Sequence, residues 1–354
     1  MSRFFSPKFR DLKAYTPGEQ PKDRTLIKLN TNENPFPPDP LVAERVREAA
    51  GRLNLYSDTE CTLLRQALAK RTGLSPDMLL MTNGSDDGLN YAFIAFCDDQ
   101  HPAVFADITY GFYPVFARVN QVPFRVIPLD PDFRINPADY DRCGGTVFIA
   151  NPNAPTGLAL SGEELEHVLR ENPDSVVVID EAYADFSGFT AMSLLPKYEN
   201  LLVIQTFSKF RSLAGLRLGI AAGSPQLIRD LKTIQFSTNP YNVDSLAQAA
   251  GIATLERDEV NLEHARVIRE TRDWVRAQLE ARGFESTDSR ANFLFVRRDG
   301  FPGSALMDRL REKGILIRWF GQERIRDWSR ITVGSRQEME ALLRAVDEIL
   351  ENTK

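Results

Sequence analysis

The chain has 354 residues, a formal net charge of −6 and 43% hydrophobic residues. That length and apolar content suit a sizeable core arranged as two domains, or one large domain with an appendage, and without a basic excess the chain lacks the broad positive field of a nucleic-acid binder. No apolar run approaches the roughly 20 residues that span a bilayer, and Met1-Ser-Arg-Phe-Phe, followed by Pro7 and charges, is no signal-peptide core.

Along the chain, the motif Leu29-Asn-Thr-Asn-Glu-Asn-Pro35 precedes a helix predicted from about Pro40 to Leu53. Beyond Tyr56-Ser-Asp, a second helix is predicted near Cys61 to Thr72, polar on one face. Asp77-Met-Leu-Leu-Met81 reads as a short strand, and Asn83-Gly-Ser-Asp86 opens a helix. Free amides at a helix N-terminus form a natural phosphate seat. Gly84, Ser85 and Asp86 are therefore candidate cradle residues, with Asp86 accepting from amides or orienting a neighbour. A simple N-cap accounts for the same residues, and both roles are compatible. Pro102 to Ala106 is a further strand, ending near Tyr110, a ring that suits stacking on a planar ligand or filling the core.

Three apolar strands follow, each ending in polar chemistry. Thr146-Val-Phe-Ile-Ala150 leads into Asn151-Pro-Asn-Ala-Pro-Thr-Gly157, where two prolines and a glycine fix the backbone and aim the Asn side chains. Ser175-Val-Val-Val-Ile179 reads as a buried parallel strand and delivers Asp180, with Tyr183 three residues on. Ligands of open α/β sheets bind at the carboxyl ends of such strands. Leu201 to Gln205 leads into Thr206-Phe-Ser-Lys-Phe-Arg-Ser-Leu-Ala-Gly-Leu-Arg217. A lysine at the end of a buried strand is an expensive place for an ammonium, but an amine there can form a Schiff base with a carbonyl. Thr206, Ser208 and Arg217 suit a phosphate beside it. An aldehyde carrying its own phosphate is pyridoxal 5'-phosphate, whose protein partners are a Schiff-base lysine and an acid on the pyridine nitrogen. Each piece alone has an ordinary explanation as a loop lysine, a cap or a turn. The order strand, Asn/Pro loop, strand, Asp, strand, Lys is much harder to obtain by chance.

Helices near Pro240 to Glu256 and Glu259 to Arg282 come next. Strands at Phe293 to Arg297, Ile315 to Trp319 and Arg330 to Val333 alternate with a helix near Ser304 to Lys313, as in a smaller α+β domain joined by the N-terminal segment. Cys61, Cys97 and Cys143 are an odd, scattered set, read as reduced thiols of a cytoplasmic protein. His101, His167 and His264 show no metal-ligand spacing, and no glycine-rich nucleotide motif occurs.

On these motifs, with Pro240-Tyr-Asn-Val243 and Arg330-Ile-Thr-Val-Gly334, nearly the whole chain resembles the fold-type I pyridoxal-phosphate-dependent aminotransferases, specifically the histidinol-phosphate aminotransferases. The resemblance implies an α/β fold with a mostly parallel seven-stranded sheet in a large domain (residues 40–255) and a small domain (1–39 and 256–354). It implies Lys209, Asp180 and Tyr183 as catalytic residues. Gly84, Ser85, Asp86, Tyr110, Asn153, Thr206, Ser208 and Arg217 would hold the cofactor. Tyr56 would reach the phosphate in a neighbouring subunit, hence a homodimer with shared active sites. Tyr15, Asn32, Arg318 and Arg330 would bind the amine and 2-oxo acid substrates. One departure stands out: the family's second Asn before Pro-Thr-Gly, a donor to the cofactor ring oxygen, is Ala154 here. Asn153 or Asn151 takes over, or Tyr183 carries the contact alone. An oxygen left unpaired costs about 1–3 kcal/mol. Aromatic-amino-acid aminotransferases and decarboxylases of phosphorylated amino acids share the scaffold. Cofactor-binding regulators carry a DNA-binding domain, for which motifs beginning by Asn30 leave no room.

Overall fold

The computed structural model describes residues 2–10, 12–21 and 25–352. Its strands are β1 (Ile27–Lys28), β2 (Leu79–Thr82), β3 (Ala103–Ala106), β4 (Phe124–Ile127), β5 (Thr146–Ala150), β6 (Val177–Asp180), β7 (Leu201–Thr206) and β8 (Gly219–Gly223). Five more follow, namely β9 (Glu285–Ser286), β10 (Phe293–Arg297), β11 (Ile315–Leu316), β12 (Arg318–Trp319) and β13 (Trp328–Thr332). The first helices are α1 (Pro40–Ala50), α2 (Thr62–Thr72), α3 (Gly84–Phe96), α4 (Tyr113–Val119) and α5 (Gly162–Glu171). Then come α6 (Pro225–Thr238), α7 (Ser245–Glu256), α8 (Asp258–Glu280), α9 (Gly303–Glu312) and α10 (Arg336–Glu351).

The central sheet has seven strands in the order β2-β8-β7-β6-β5-β3-β4. Only β8 runs against its neighbours β2 and β7; the remaining pairs are parallel. Every residue of β5, β6 and β7 is buried, because helices cover both faces of a parallel sheet. One face packs on α2, α5 and α7 through Leu64, Leu165 and Ala250. The other packs on α3, α4 and α6 through Phe93, Phe116 and Leu231. The carboxyl ends of β5, β6 and β7 therefore meet at one edge. A four-stranded antiparallel sheet, β12-β13-β10-β9, has its own core with α8, α9 and α10. There β1 pairs in parallel with β11.

Several boundaries differ from the sequence reading. The first helix stops at Ala50, before Gly51. Residues 76–78 form a 3-10 turn, so the strand starts at Leu79. The helix expected from Pro240 starts at Ser245, where the Asp244 side chain caps the Ala247 amide. Pro240 to Val243 is instead a loop, and its Asn242 bonds Asp87 of α3 and Gln235 of α6. The run Ile315 to Trp319 splits at Ile317, one half pairing with β1 and the other with β13. Helix α6 has a regular amphipathic pattern that the sequence reading passed over.

Candidate active site

The lysine comes from the turn after β7, the aspartate from the end of β6 and the phosphate seat from α3. Between them lies a cavity lined by Ser85, Asp86, Tyr110, Asp180, Tyr183, Thr206, Ser208, Lys209 and Arg217, with Ala150, Pro152, Ala154 and Ala182.

One end is built for an anion. Gly84 opens α3 at a φ of +76°, and a Cβ there would meet the Arg217 guanidinium at 2.6 Å. Gly219 of β8 touches the same turn so closely that a Cβ would lie 2.4 Å from the Gly84 carbonyl carbon. Two glycines thus let strand, helix start and guanidinium converge. Thr206 Oγ1 donates to Ser208 Oγ at 3.0 Å, and Arg217 Nη1 donates to the same hydroxyl at 3.3 Å. Asp86 accepts from Tyr110 Oη at 2.7 Å and Arg217 Nη2 at 3.2 Å. Asp86 therefore orients its neighbours. Burial and the Asp86 charge push the Tyr110 phenol well above its ordinary range.

At the floor, Asp180 is buried and accepts from Tyr113 Oη at 3.0 Å and the Ala182 amide at 3.2 Å. Burial lifts its carboxyl to about 6, against the lowering effect of those two donors. A carboxyl in that state ionises readily beside a cationic partner. Tyr113 was not foreseen. It starts α4 three residues after Tyr110, and its one signal was that spacing.

The Lys209 amine donates to the Thr31 carbonyl at 2.8 Å. Burial, then the Arg330 and Arg217 charges, lower it to about 8, while Glu33 and Asp86 oppose them. Tyr183 Oη accepts from Asn32 Nδ2 at 2.9 Å, which places the predicted Asn32 directly behind a residue of the cavity wall. Arg330 Nη2 donates to the Asn30 carbonyl at 3.0 Å, its guanidinium lies over the rings of Phe293 and Phe320, and its Nε is buried with no partner. Arg318 sits directly across from Arg330 in the β12–β13 ladder and donates to the Thr16 carbonyl at 3.1 Å. Tyr15 packs on Phe112, ring centres 4.5 Å apart.

Tyr15, Asn32, Arg318 and Arg330 are not among the residues lining the cavity, and neither are Asn151, Asn153 and Tyr56. Asn153 turns into its own loop, donating to Ile108 O and Thr156 Oγ1 and accepting from Thr109 Oγ1. Asn151 is likewise tied to Leu160. Both amides are thus engaged within the loop, and Tyr183 and its partner Asn32 are the other polar groups near Ala154. Tyr56 is exposed and stacks on Tyr241, outside the cavity.

Pyridoxal phosphate fits this donor set. A phosphate suits the α3 amides, the Thr206 and Ser208 hydroxyls and Arg217. A ring nitrogen suits Asp180, an aldehyde suits Lys209, and a ring oxygen suits Tyr183. Among the described residues no group of three or more His, Cys, Asp or Glu side chains is placed to hold a metal.

The profile of the aminotransferase class I and II family matches residues 24–346. A histidinol-phosphate aminotransferase 1 of Pseudomonas fluorescens is 45% identical, covering 99% of this chain and 100% of that protein. A histidinol-phosphate aminotransferase 2 of Dechloromonas aromatica is 46% identical over 99% of both. The crystal structure of histidinol-phosphate aminotransferase from Sinorhizobium meliloti in complex with pyridoxal-5'-phosphate superposes with a TM-score of 0.89 at 24% identity, over 100% of this chain and 99% of that one. The architecture is thus the fold type I of pyridoxal-phosphate enzymes. With a lysine and an arginine of the β7–β8 connection and an aspartate of β6 brought to one cavity, and with full-length relatives of this kind, the chain belongs to the class I and II aminotransferases.

Proposed function

We propose that this chain is a histidinol-phosphate aminotransferase with pyridoxal phosphate as cofactor. It moves the amino group of histidinol phosphate to 2-oxoglutarate, giving imidazole acetol phosphate and glutamate. The observation that carries the reading is the single cavity holding Lys209, Asp180 and Arg217, together with 43–46% identity to full-length relatives of that name.

When bound, the cofactor supplies the sink for the electron pair left as the amine-bearing carbon loses its proton. The chain's residues do the rest. Asp180, held by Tyr113, keeps a negative charge against the ring nitrogen, a preorganised electrostatic contribution. Lys209 Nζ, lowered to about 8, takes the proton from the substrate carbon as general base and gives one back as general acid. Tyr183 and Asn32 orient the ring oxygen. Gly84, Ser85, Thr206, Ser208 and Arg217 bind the cofactor phosphate, with Asp86 setting Arg217 and Tyr110. Arg318 and Arg330 receive the anionic group of either substrate, since a guanidinium fork matches both carboxylate and phosphate. Tyr15 closes that side. Asn153 shapes the loop and makes no cofactor contact.

The domain division is 40–255 against 1–39 plus 256–354. Exposed Leu53 and Leu55 and the exposed, mutually stacked Tyr56 and Tyr241 suit a homodimer in which Tyr56 reaches the neighbouring site. No described helix is long and apolar enough to cross a membrane; three buried free cysteines suit a cytoplasmic enzyme.

The half-reaction tests the substrate. Histidinol phosphate added to the purified holoenzyme should bleach the cofactor's aldehyde-form absorbance quickly, phenylalanine slowly or not at all, and 2-oxoglutarate should then yield glutamate. The reverse preference identifies an aromatic aminotransferase. Carbon dioxide release without glutamate identifies a decarboxylase.

A further inference from the structure

The loop after β1 grips Lys209 at both ends. Asn34 Nδ2 donates to the Lys209 and Phe210 carbonyls, both at 3.1 Å, and the Thr31 carbonyl receives the amine at 2.8 Å. Thr31 is itself clasped. Its hydroxyl donates to Glu33 Oε2 at 2.7 Å and accepts from Lys28 Nζ at 2.6 Å. Lys28 pairs with the same carboxylate. We propose that Glu33 is a positioning residue for Lys209: through the Thr31 hydroxyl it holds the carbonyl on which the lysine amine rests whenever that amine is free of a covalent partner. The proposal rests on the reading of Lys209 as the cofactor lysine.

A carbonyl accepts from an ammonium or from a neutral amine, so Thr31 fixes place and leaves charge open. The charge is set by the groups around it. Arg330 and Arg217 favour the neutral amine, whereas Glu33 and Asp86 favour the ammonium. Asp180 adds a further carboxyl across the cavity, while Tyr110 and Tyr183 hold their protons because burial raises both phenols. Lys28 is neutralised by Glu33. Glu33 therefore joins two tasks, the seat of the amine and its protonation, within the loop that follows β1.

The test uses the full chain loaded with pyridoxamine phosphate, which leaves the lysine amine free. Acetic anhydride is applied across a pH series, and acetylation of the Lys209 peptide is read by mass spectrometry in wild type, Glu33→Gln and Thr31→Val. In Glu33→Gln the pH midpoint should fall by roughly one unit, as expected when a nearby opposite charge is removed. In both variants the plateau rate above the midpoint should rise severalfold, with the other lysines unchanged, because the amine leaves its carbonyl more often. Wild-type midpoint and plateau in Glu33→Gln, or an unchanged plateau in Thr31→Val, overturn the proposal. Pyridoxal-phosphate-loaded wild type is the control. Lys209 should resist acetylation there; if it reacts as freely as in the pyridoxamine form, the assignment of Lys209 falls and the proposal with it.

Discussion

Tyr113 is the residue whose removal separates a positioned Asp180 from a merely buried one. Its hydroxyl is fully buried and donates to Asp180 Oδ2 at 3.0 Å. Tyr113→Phe keeps the ring and deletes that donor, at a cost of about 1.5–3 kcal/mol for a hydrogen bond to a charged group. Steady-state kinetics should show kcat/KM falling roughly tenfold to a hundredfold, while cofactor content stays near wild type. Unchanged kinetics would make Tyr113 a packing residue only. Gly84→Ala tests the opposite end. A Cβ 2.6 Å from Arg217 Nη2 displaces the guanidinium, and the loss of one charge-assisted contact, about 1.5–3 kcal/mol, should weaken pyridoxal-phosphate affinity at least tenfold in a fluorescence titration. Ala154 shows how far one position can be read: the missing amide was visible in the sequence, but the neighbours that leave it unreplaced were visible only once Asn151 and Asn153 were seen bonded within their own loop.

Strand β6 ends at Asp180, and Glu181 just beyond it points to the opposite side, as successive side chains of extended backbone do. Asp180 faces the cavity. Glu181 faces away and accepts from Thr190 Oγ1, the Ala191 amide and Gln205 Nε2. Burial lifts Glu181 from its ordinary 4.5 to about 7. The folded chain therefore binds this proton more tightly than the unfolded chain does. Its contribution to stability is complete below about pH 4.5 and is lost as pH rises through about 7. Asp180 acts in the same direction without a cationic partner. Denaturant melts of the cofactor-free chain at about pH 5 and pH 8 should show wild type losing about 1–3 kcal/mol more than Glu181→Gln across that interval. Equal losses would mean that Glu181 is ionised in the fold throughout.

The large sheet was legible because β5, β6 and β7 are short apolar runs, each followed by a polar motif. The elements misread were those whose limits depend on tertiary contacts. The loop from Pro240 to Val243 is kept out of α7 by the Asp244 cap and by Asn242, which reaches across to α3. The run from Ile315 to Trp319 splits because its two halves serve different sheets. No local pattern reports such partners.

At the scale of the molecule, the cavity is lined by residues of the large domain, and the proposed substrate arginines, Arg318 and Arg330, face each other across β12 and β13 of the four-stranded sheet. Like charges directly opposite in a ladder are unfavourable, and the Phe320 ring lies near both guanidiniums. Under the proposed function, the anionic group of the substrate would relieve that repulsion. Arg330→Ala should therefore raise KM for both histidinol phosphate and 2-oxoglutarate, by tenfold or more for loss of a bidentate contact of about 1.5–3 kcal/mol. A rise for one substrate alone would show that two separate sites receive the anions. Tyr56→Ala should lower cofactor affinity only if a second subunit supplies the ring, which titration and sedimentation measured together will show.

Lys209 is proposed to hold pyridoxal phosphate. Borohydride reduction of the holoenzyme fixes the cofactor to whichever lysine holds it, and peptide mass spectrometry then locates the added mass. The label should fall on the peptide containing Ser208 and Lys209, and on no other. A label on a different lysine, or none, would contradict it.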